Sequence, residues 1–177
     1  MYKRQPLYRP GTYPVFGEGS LNAKIMFIGE APGYYESISG HPFCGPAGKV
    51  LDELLDSVGI KREEVYITNI LKCRPPGNRS PKTEEIKACT PYLEKQIEII
   101  KPKIICCLGN FATSFIFKKF GLEDKLQGIS KIHGKVFIAG DLFTRVKIIP
   151  LYHPAVATYN INMKETLKND FKILPLS

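Results

Sequence analysis

No apolar run in these 177 residues approaches the roughly 18 needed to cross a bilayer. The charged start Met1-Tyr2-Lys3-Arg4 is not followed by the apolar stretch of a secretion signal. These absences point away from the membrane and toward an intracellular, cytoplasmic protein. Cysteine is sparse as well. Cys44, Cys73, Cys89, Cys106 and Cys107 are too few for a disulfide scaffold, and none are spaced as CxxC. Cys106 and Cys107 fall inside the apolar run Lys103–Gly109 and read as small core residues of a strand. No repeat, low-complexity tract or long linker divides the chain, so residues 1–177 are expected to form a single domain.

What is present is an ordinary globular composition, 44% hydrophobic and 24% charged, with a formal net charge of +8. A basic balance serves solubility, and it also favours an anionic partner such as nucleic acid. Along the chain, residues 1–22 are rich in Pro, Gly, Tyr and Arg without a period, and read as an N-terminal wrap. The run Lys24-Ile25-Met26-Phe27-Ile28 reads as a buried strand. It leads into Gly29-Glu30-Ala31-Pro32-Gly33, a tight loop in which glycine permits close backbone approach and Pro32 adds stiffness.

A second rigid loop, Gly40 to Gly48, precedes a helix with Val50, Leu51, Leu54, Leu55 and Val58 on one stripe and Gly59 as its stop. Val65–Asn69 is a β-branched strand that runs into Lys72–Pro81, whose three prolines exclude helix and central strand. A long helix begins near Thr83 and ends before Pro102. Lys103–Leu108 is a third strand, followed by a helix carrying Phe111, Ala112, Phe115 and Ile116. Lys125–Gly134 reads as a loop, Val136–Ala139 and Val146–Leu151 as further strands, the first an edge hairpin, and Met163–Lys172 as a polar closing helix. Such alternation implies a mostly parallel sheet covered on both faces.

Ligands of open α/β sheets bind at the carboxyl ends of the strands. The predicted loops there carry Glu30, Glu36, Phe43, Asn69, Asn78 and His153. Each alone has an ordinary explanation: a solvated carboxylate, a core ring, a turn cap, a loop histidine. Together at one edge they make a site candidate. The glycine loop is not expected to cradle phosphate, because no helix is predicted at its glycines and no Lys-Ser/Thr follows. Arg74 and Arg79, on a proline-stiffened loop, suit either an exposed turn or phosphate contacts.

These stretches also resemble a known family. Gly29-Glu30-Ala31-Pro32-Gly33 with Glu36, then Gly40-x-Pro42-Phe43-x-Gly45-x-Ala47-Gly48, then Tyr66-Ile67-Thr68-Asn69-x-x-Lys72-Cys73-Arg74-Pro75-Pro76-x-Asn78-Arg79-x-Pro81, then Lys101-Pro102-Lys103-Ile104-Ile105-x-x-Leu108-Gly109 and His153-Pro154 are similar, in order and spacing, to the family 4 uracil-DNA glycosylases. The resemblance runs from about Leu7 to Tyr159. It implies a uracil-DNA glycosylase fold, a three-layer αβα arrangement around a four-stranded, mostly parallel sheet. It implies a monofunctional enzyme that flips uracil from single- or double-stranded DNA and hydrolyses the N-glycosidic bond, leaving an abasic site for base excision repair. Ala31, Gly33, Glu36, Phe43, Asn69 and His153 are the implied uracil contacts. His153, Asn69, Glu30 and Asn78 are the implied catalytic set. Arg74, Arg79, Pro154, Ala155 and Val156 are the implied DNA contacts, the last three in a wedge that enters the base stack. A monomer is implied, together with an encounter with a replication or repair factor.

The family holds a [4Fe–4S] cluster through four cysteines, as a structural group not needed for the chemistry. Cys73 and Cys89 match one pair, but Tyr2 and Gln5 stand where the other pair belongs, and neither is a thiolate. Either the cluster is lost, or substitutes such as Cys44 complete it. The missing pair also leaves a second functional reading, a DNA-binding or docking module of the same fold with weak or no catalysis.

Overall fold

The structure, a computed structural model, describes residues 6–9, 11–140 and 145–174. Tyr2 and Gln5, and part of the expected wrap over 1–22, lie outside these residues. Among the described residues six strands form one sheet: β1 (Glu18–Gly19), β2 (Ile25–Gly29), β3 (Tyr66–Asn69), β4 (Ile104–Leu108), β5 (Phe137–Ala139) and β6 (Val146–Leu151). The spatial order is β1-β3-β2-β4-β6-β5. The inner four strands are mutually parallel, and β1 and β5 pair antiparallel at the two edges. The mostly parallel centre is as expected, but the sheet is six strands wide rather than four. One edge strand is only two residues long and sits in the segment read as wrap. So short a pairing leaves no periodic signal in the sequence.

Alternation along the inner strands sends successive side chains to opposite faces. Met26, Ile28, Ile105, Cys107 and Ile148 join one buried cluster. It includes Leu93 and Ile100 of α3 (Thr83–Ile100) and Ile116 and Phe117 of α4 (Asn110–Lys119). Phe27, Ile67, Cys106, Ile149 and Leu151 join the other. That face is covered by α2 (Pro46–Ser57) and α7 (Asn162–Phe171). The closing helix is polar only outward, since Leu167 and Phe171 are buried and Phe171 stacks on Phe27 at 5.7 Å. The segment read as a loop at 125–134 contains a short helix, α5 (Ile129–Ile132). Its buried ends Ile129 and Ile132 are too few to show a helical period. No described helix is long and apolar enough to cross a membrane.

The chain leaves β2, forms β3 on one side of it, then crosses to form β4 on the other. The carboxyl end of β2 is therefore the point where the strand order reverses, the position where α/β sheets open a crevice. The glycine loop stands there. A helix does start at it, contrary to expectation: α1 (Tyr34–Ser39) has Gly33 as its N-cap. The helix is one and a half turns long, too short for an apolar stripe to announce it.

After α1, Phe43 takes a left-handed backbone conformation with φ 49°, unusual for a non-glycine residue. Its carbonyl points into the first turn of α2, where a side chain on Gly48 would overlap it. In most helices Gly→Ala stabilises by about 0.5–1 kcal/mol. Here Gly48→Ala is expected to do the opposite and lower the urea midpoint, because the new methyl collides with backbone that cannot yield cheaply.

Candidate active site

Gly29 pairs in register with Asn69 at the ends of β2 and β3. The pairing continues beyond the strands, with Ile70 N–H donating to the Gly29 carbonyl and Leu71 N–H to the Glu30 carbonyl, each at 3.0 Å. A side chain at Gly29 would collide with Asn69 Oδ1 and would lie 3.0 Å from the tip of the Phe43 ring. Glycine there is what lets the amide and the ring approach the same spot.

Asn69 is 1% exposed, and neither Oδ1 nor Nδ2 has a hydrogen-bond partner among the described residues. Buried amides are ordinarily satisfied, and an orphaned one costs about 1–3 kcal/mol. Its backbone, by contrast, is held firmly. Lys72 is fully buried, and its Nζ donates to the Asn69 carbonyl at 2.7 Å, Thr68 Oγ1 at 2.7 Å, Gln96 Oε1 at 2.8 Å and the Phe16 carbonyl at 3.3 Å. Burial draws the Lys72 amine down to about 7, and the neighbouring Cys89 opposes that fall.

His153 follows β6 by two residues, beside Gly109 at the end of β4. Its ring stacks on Phe43 with centroids 5.6 Å apart at 29°. The Ala155 N–H donates to His153 Nδ1 at 3.2 Å. A ring nitrogen that accepts carries no proton, so the neutral imidazole bears its hydrogen on Nε2. Burial lowers its pKa to about 4, which keeps the ring neutral across the physiological range.

Glu36 closes the other side. One carboxylate oxygen accepts from the Gly33 N–H and the other from the Phe43 N–H at 2.7 Å. It thus ties the glycine loop to the phenylalanine loop and sits where an anion at the start of α1 would sit. Although a helix begins at Gly33, its anion position is already filled by Glu36 of its own first turn, and a phosphate cradle is excluded on that ground.

A cavity of about 380 Å³ is walled by Ala31, Gly33, Glu36, Phe43, Asn78 and His153. A recess of about 250 Å³ shares Ala31, Gly33, Asn78 and His153 with it and adds Glu30 and Arg79. Burial raises the half-buried Glu30 carboxyl above its usual range. Asn69 does not reach the cavity wall as the ring of Phe43 lies, but sits behind it. A larger cavity of about 480 Å³ lies by β1, lined by Glu18, Gly19, Ser20, Arg62 and Glu63, and none of the expected residues approaches it.

The expected DNA contacts divide. Arg74 stacks over Tyr34 at 5.2 Å and donates from Nε to Asn78 Oδ1 at 2.7 Å. Arg79 is committed to the buried Glu85, which accepts from both of its terminal nitrogens, and is no free phosphate clamp. Ala155 lines the cavity, but Pro154 is buried and Val156 packs on the core. They lie in or beside a short helix, α6 (Val156–Tyr159), rather than an open wedge. The exposed apolar side chains of that stretch are Tyr159 and Ile161. Sequence reasoning passed over Lys72, a lone cation in the apolar run Ile70–Cys73, and the exposed Tyr34 and Tyr35 at the cavity mouth.

Cys73 and Cys89 meet in a small buried cluster with Leu7 and Leu71. Burial, and then the nearby Cys89, pushes the Cys73 thiol up to about 11, and burial raises Cys89. Cys44 is exposed and contacts Ser39, and Cys106 and Cys107 belong to β4. No group of three or more candidate metal ligands occurs among the described residues. Two thiols come together here among the described residues, half of the four that such a cluster takes.

The site is thus a crevice at the switch point of an α/β sheet, where a stacked phenylalanine and histidine line the wall and an unpartnered amide lies buried at the strand end. Residues 16–173 match the family model of the uracil DNA glycosylase superfamily. The chain is 48% identical over 166 residues to the type-4 uracil-DNA glycosylase of Archaeoglobus fulgidus, covering 94% of this chain and 82% of that protein. It is 46% identical over 171 residues to the type-4 enzyme of Sulfurisphaera tokodaii, covering 96% and 77%. The identity to the type-4 enzyme of Saccharolobus solfataricus is 48% over 166 residues, covering 93% and 75%. On these matches the chain belongs to the uracil-DNA glycosylase superfamily and to its type-4 branch.

The histidine geometry has a measurable consequence. Nitrogen-15 spectra at pH 6 are expected to show His153 neutral with its proton on Nε2, titrating near pH 4. Because the folded pKa lies below the unfolded value of about 6.5, the stability that this group contributes is complete above pH ~6.5 and lost as pH falls through ~4.

Proposed function

We propose that the protein is a monofunctional uracil-DNA glycosylase, one domain that flips uracil out of DNA and hydrolyses its N-glycosidic bond. The observation that carries the reading is the buried Asn69 amide, left without partners behind the Phe43 ring, on which a neutral His153 with its proton on Nε2 is stacked. Its Oδ1 accepts from uracil N3–H and its Nδ2 donates to O4. Cytosine reverses both groups and would leave the amide unpaired, the kind of mismatch that gives strong discrimination. The Phe43 ring turns from over Gly29 so that the base can stack on it and reach the amide. Glu36, pinned by two backbone N–H groups, closes the space beyond Gly33 where the thymine methyl would sit.

The C1′–N1 bond breaks with its electron pair on uracil, and the charge that builds on O2 is met by the His153 N–H. Water adds its oxygen to C1′ and gives up a proton to solvent. Ala31 offers no base at the loop, so Glu30 and Asn78, at the smaller recess, orient the water. Arg74 contacts backbone phosphate at the mouth, while Arg79 works through Glu85 to hold the loop in place. A docking module without catalysis would have no need for an unsatisfied buried amide.

Free uracil should appear from single-stranded and U·G oligonucleotides, with little release of cytosine or thymine. Removing a preorganised donor costs roughly 10²–10³ in rate, and His153→Ala should lose that much. Absence of uracil release by the wild-type protein, or equal release by His153→Ala and Asn69→Asp, would sink the reading.

The same reading includes the chemistry without an iron–sulfur cluster. The described residues bring together two thiols, and the remaining positions, Tyr2 and Gln5, offer a phenol and an amide. Purified active protein should contain no stoichiometric iron or sulfide and should lack the cluster's visible absorbance. Iron and sulfide at four per chain would overturn this.

A further inference from the structure

Among the described residues Lys72 is the only buried lysine, and nothing in the excision chemistry above uses it. It carries a charge into the protein where most folds would place an apolar side chain. The three N–H groups of its ammonium meet Thr68 Oγ1, the Asn69 carbonyl and Gln96 Oε1 within 2.8 Å, and the Phe16 carbonyl lies at 3.3 Å. All four partners are oxygens. The neighbouring donors are spent elsewhere: Gln96 Nε2 on the Phe16 carbonyl and Tyr66 hydroxyl, and Thr68 Oγ1 on the Phe16 carbonyl. A neutral amine would find no donor for its lone pair, so the nest is built for the cation.

Among the described residues no carboxylate pairs with Lys72 Nζ, and Glu85 belongs to Arg79. The nest of oxygens thus seats the lysine head group against the backbone of the residue that reads the base. We propose that Lys72 is a positioning residue for uracil excision: anchored on the Asn69 carbonyl, its buried ammonium fixes the reading amide and its field favours the uracil anion as it departs. The inference rests on the uracil-excision reading. In a dry interior such a charge is weakly screened, and at this remove it is worth about tenfold to hundredfold in rate.

The test compares single-turnover release of uracil and of 5-fluorouracil, whose anion is the more stable and needs less help. Lys72→Met should slow uracil release about tenfold to hundredfold and 5-fluorouracil release clearly less. Affinity for DNA bearing an uncleavable uracil analogue should change by less than threefold. Gln96→Glu keeps the lysine and places a carboxylate on its Nζ. It should stay folded and show the same unequal slowing, and it decides the matter if Lys72→Met does not fold. A purely structural role predicts equal slowing with both bases, or none in Gln96→Glu, and either result overturns the inference. If the wild-type protein releases neither base, uracil excision has failed and the inference fails with it. Active wild type with unaffected variants overturns the inference alone.

Discussion

The parallel pairing of Gly29 with Asn69 is the constraint on which the rest of the site depends. It aligns the carboxyl ends of two central strands, and because one partner has no side chain, the other can turn its amide across the sheet. A slip of one residue would send Asn69 to the opposite face and bring a bulky side chain to the crevice. The register is guarded from both directions. The strands are buried on both faces, and the polar nest around Lys72 ties the end of β3 to Phe16 and to Gln96 on α3. The glycine loop, the phenylalanine loop and the histidine segment then need only to be hung from strand ends that are already fixed.

Much of this was legible in the sequence because its signals are periodic or local. The inner strands showed as apolar runs, the long helices as stripes, and the candidate residues as polar groups just beyond strand ends. What escaped has a common character. The two-residue β1, the short α1 and the short α5 carry too few residues to show a period. The hidden geometry of the site is also non-local. Lys72 is an unremarked lysine until Phe16 and Gln96, far along the chain, supply its oxygens. The bond between Arg79 and the buried Glu85 on α3 leaves no local mark in the sequence. Nor does the partial packing of Val156 on the core.

The cysteine pair is one place where the motif and its packing can be compared directly. Cys73 and Cys89 keep the spacing of ligands but are packed as hydrophobic thiols beside Leu7 and Leu71. The same packing reaches Ala31 and Ile86, so this small cluster lies under the glycine loop and braces it from below. Apolar contact among these side chains supports the floor of the loop from the face away from the cavity.

Glu36 fills the start of α1 with a carboxylate of the chain itself. A ligand that settles against this floor is electrically neutral and displaces no mobile ion from it. Uptake at the floor is therefore free of ion exchange. Sensitivity to ionic strength then belongs to charged groups outside this floor, such as Arg74 over Tyr34 at the cavity mouth. The fold thereby separates two environments in space, an ionic margin that depends on the medium and a self-contained depth that does not.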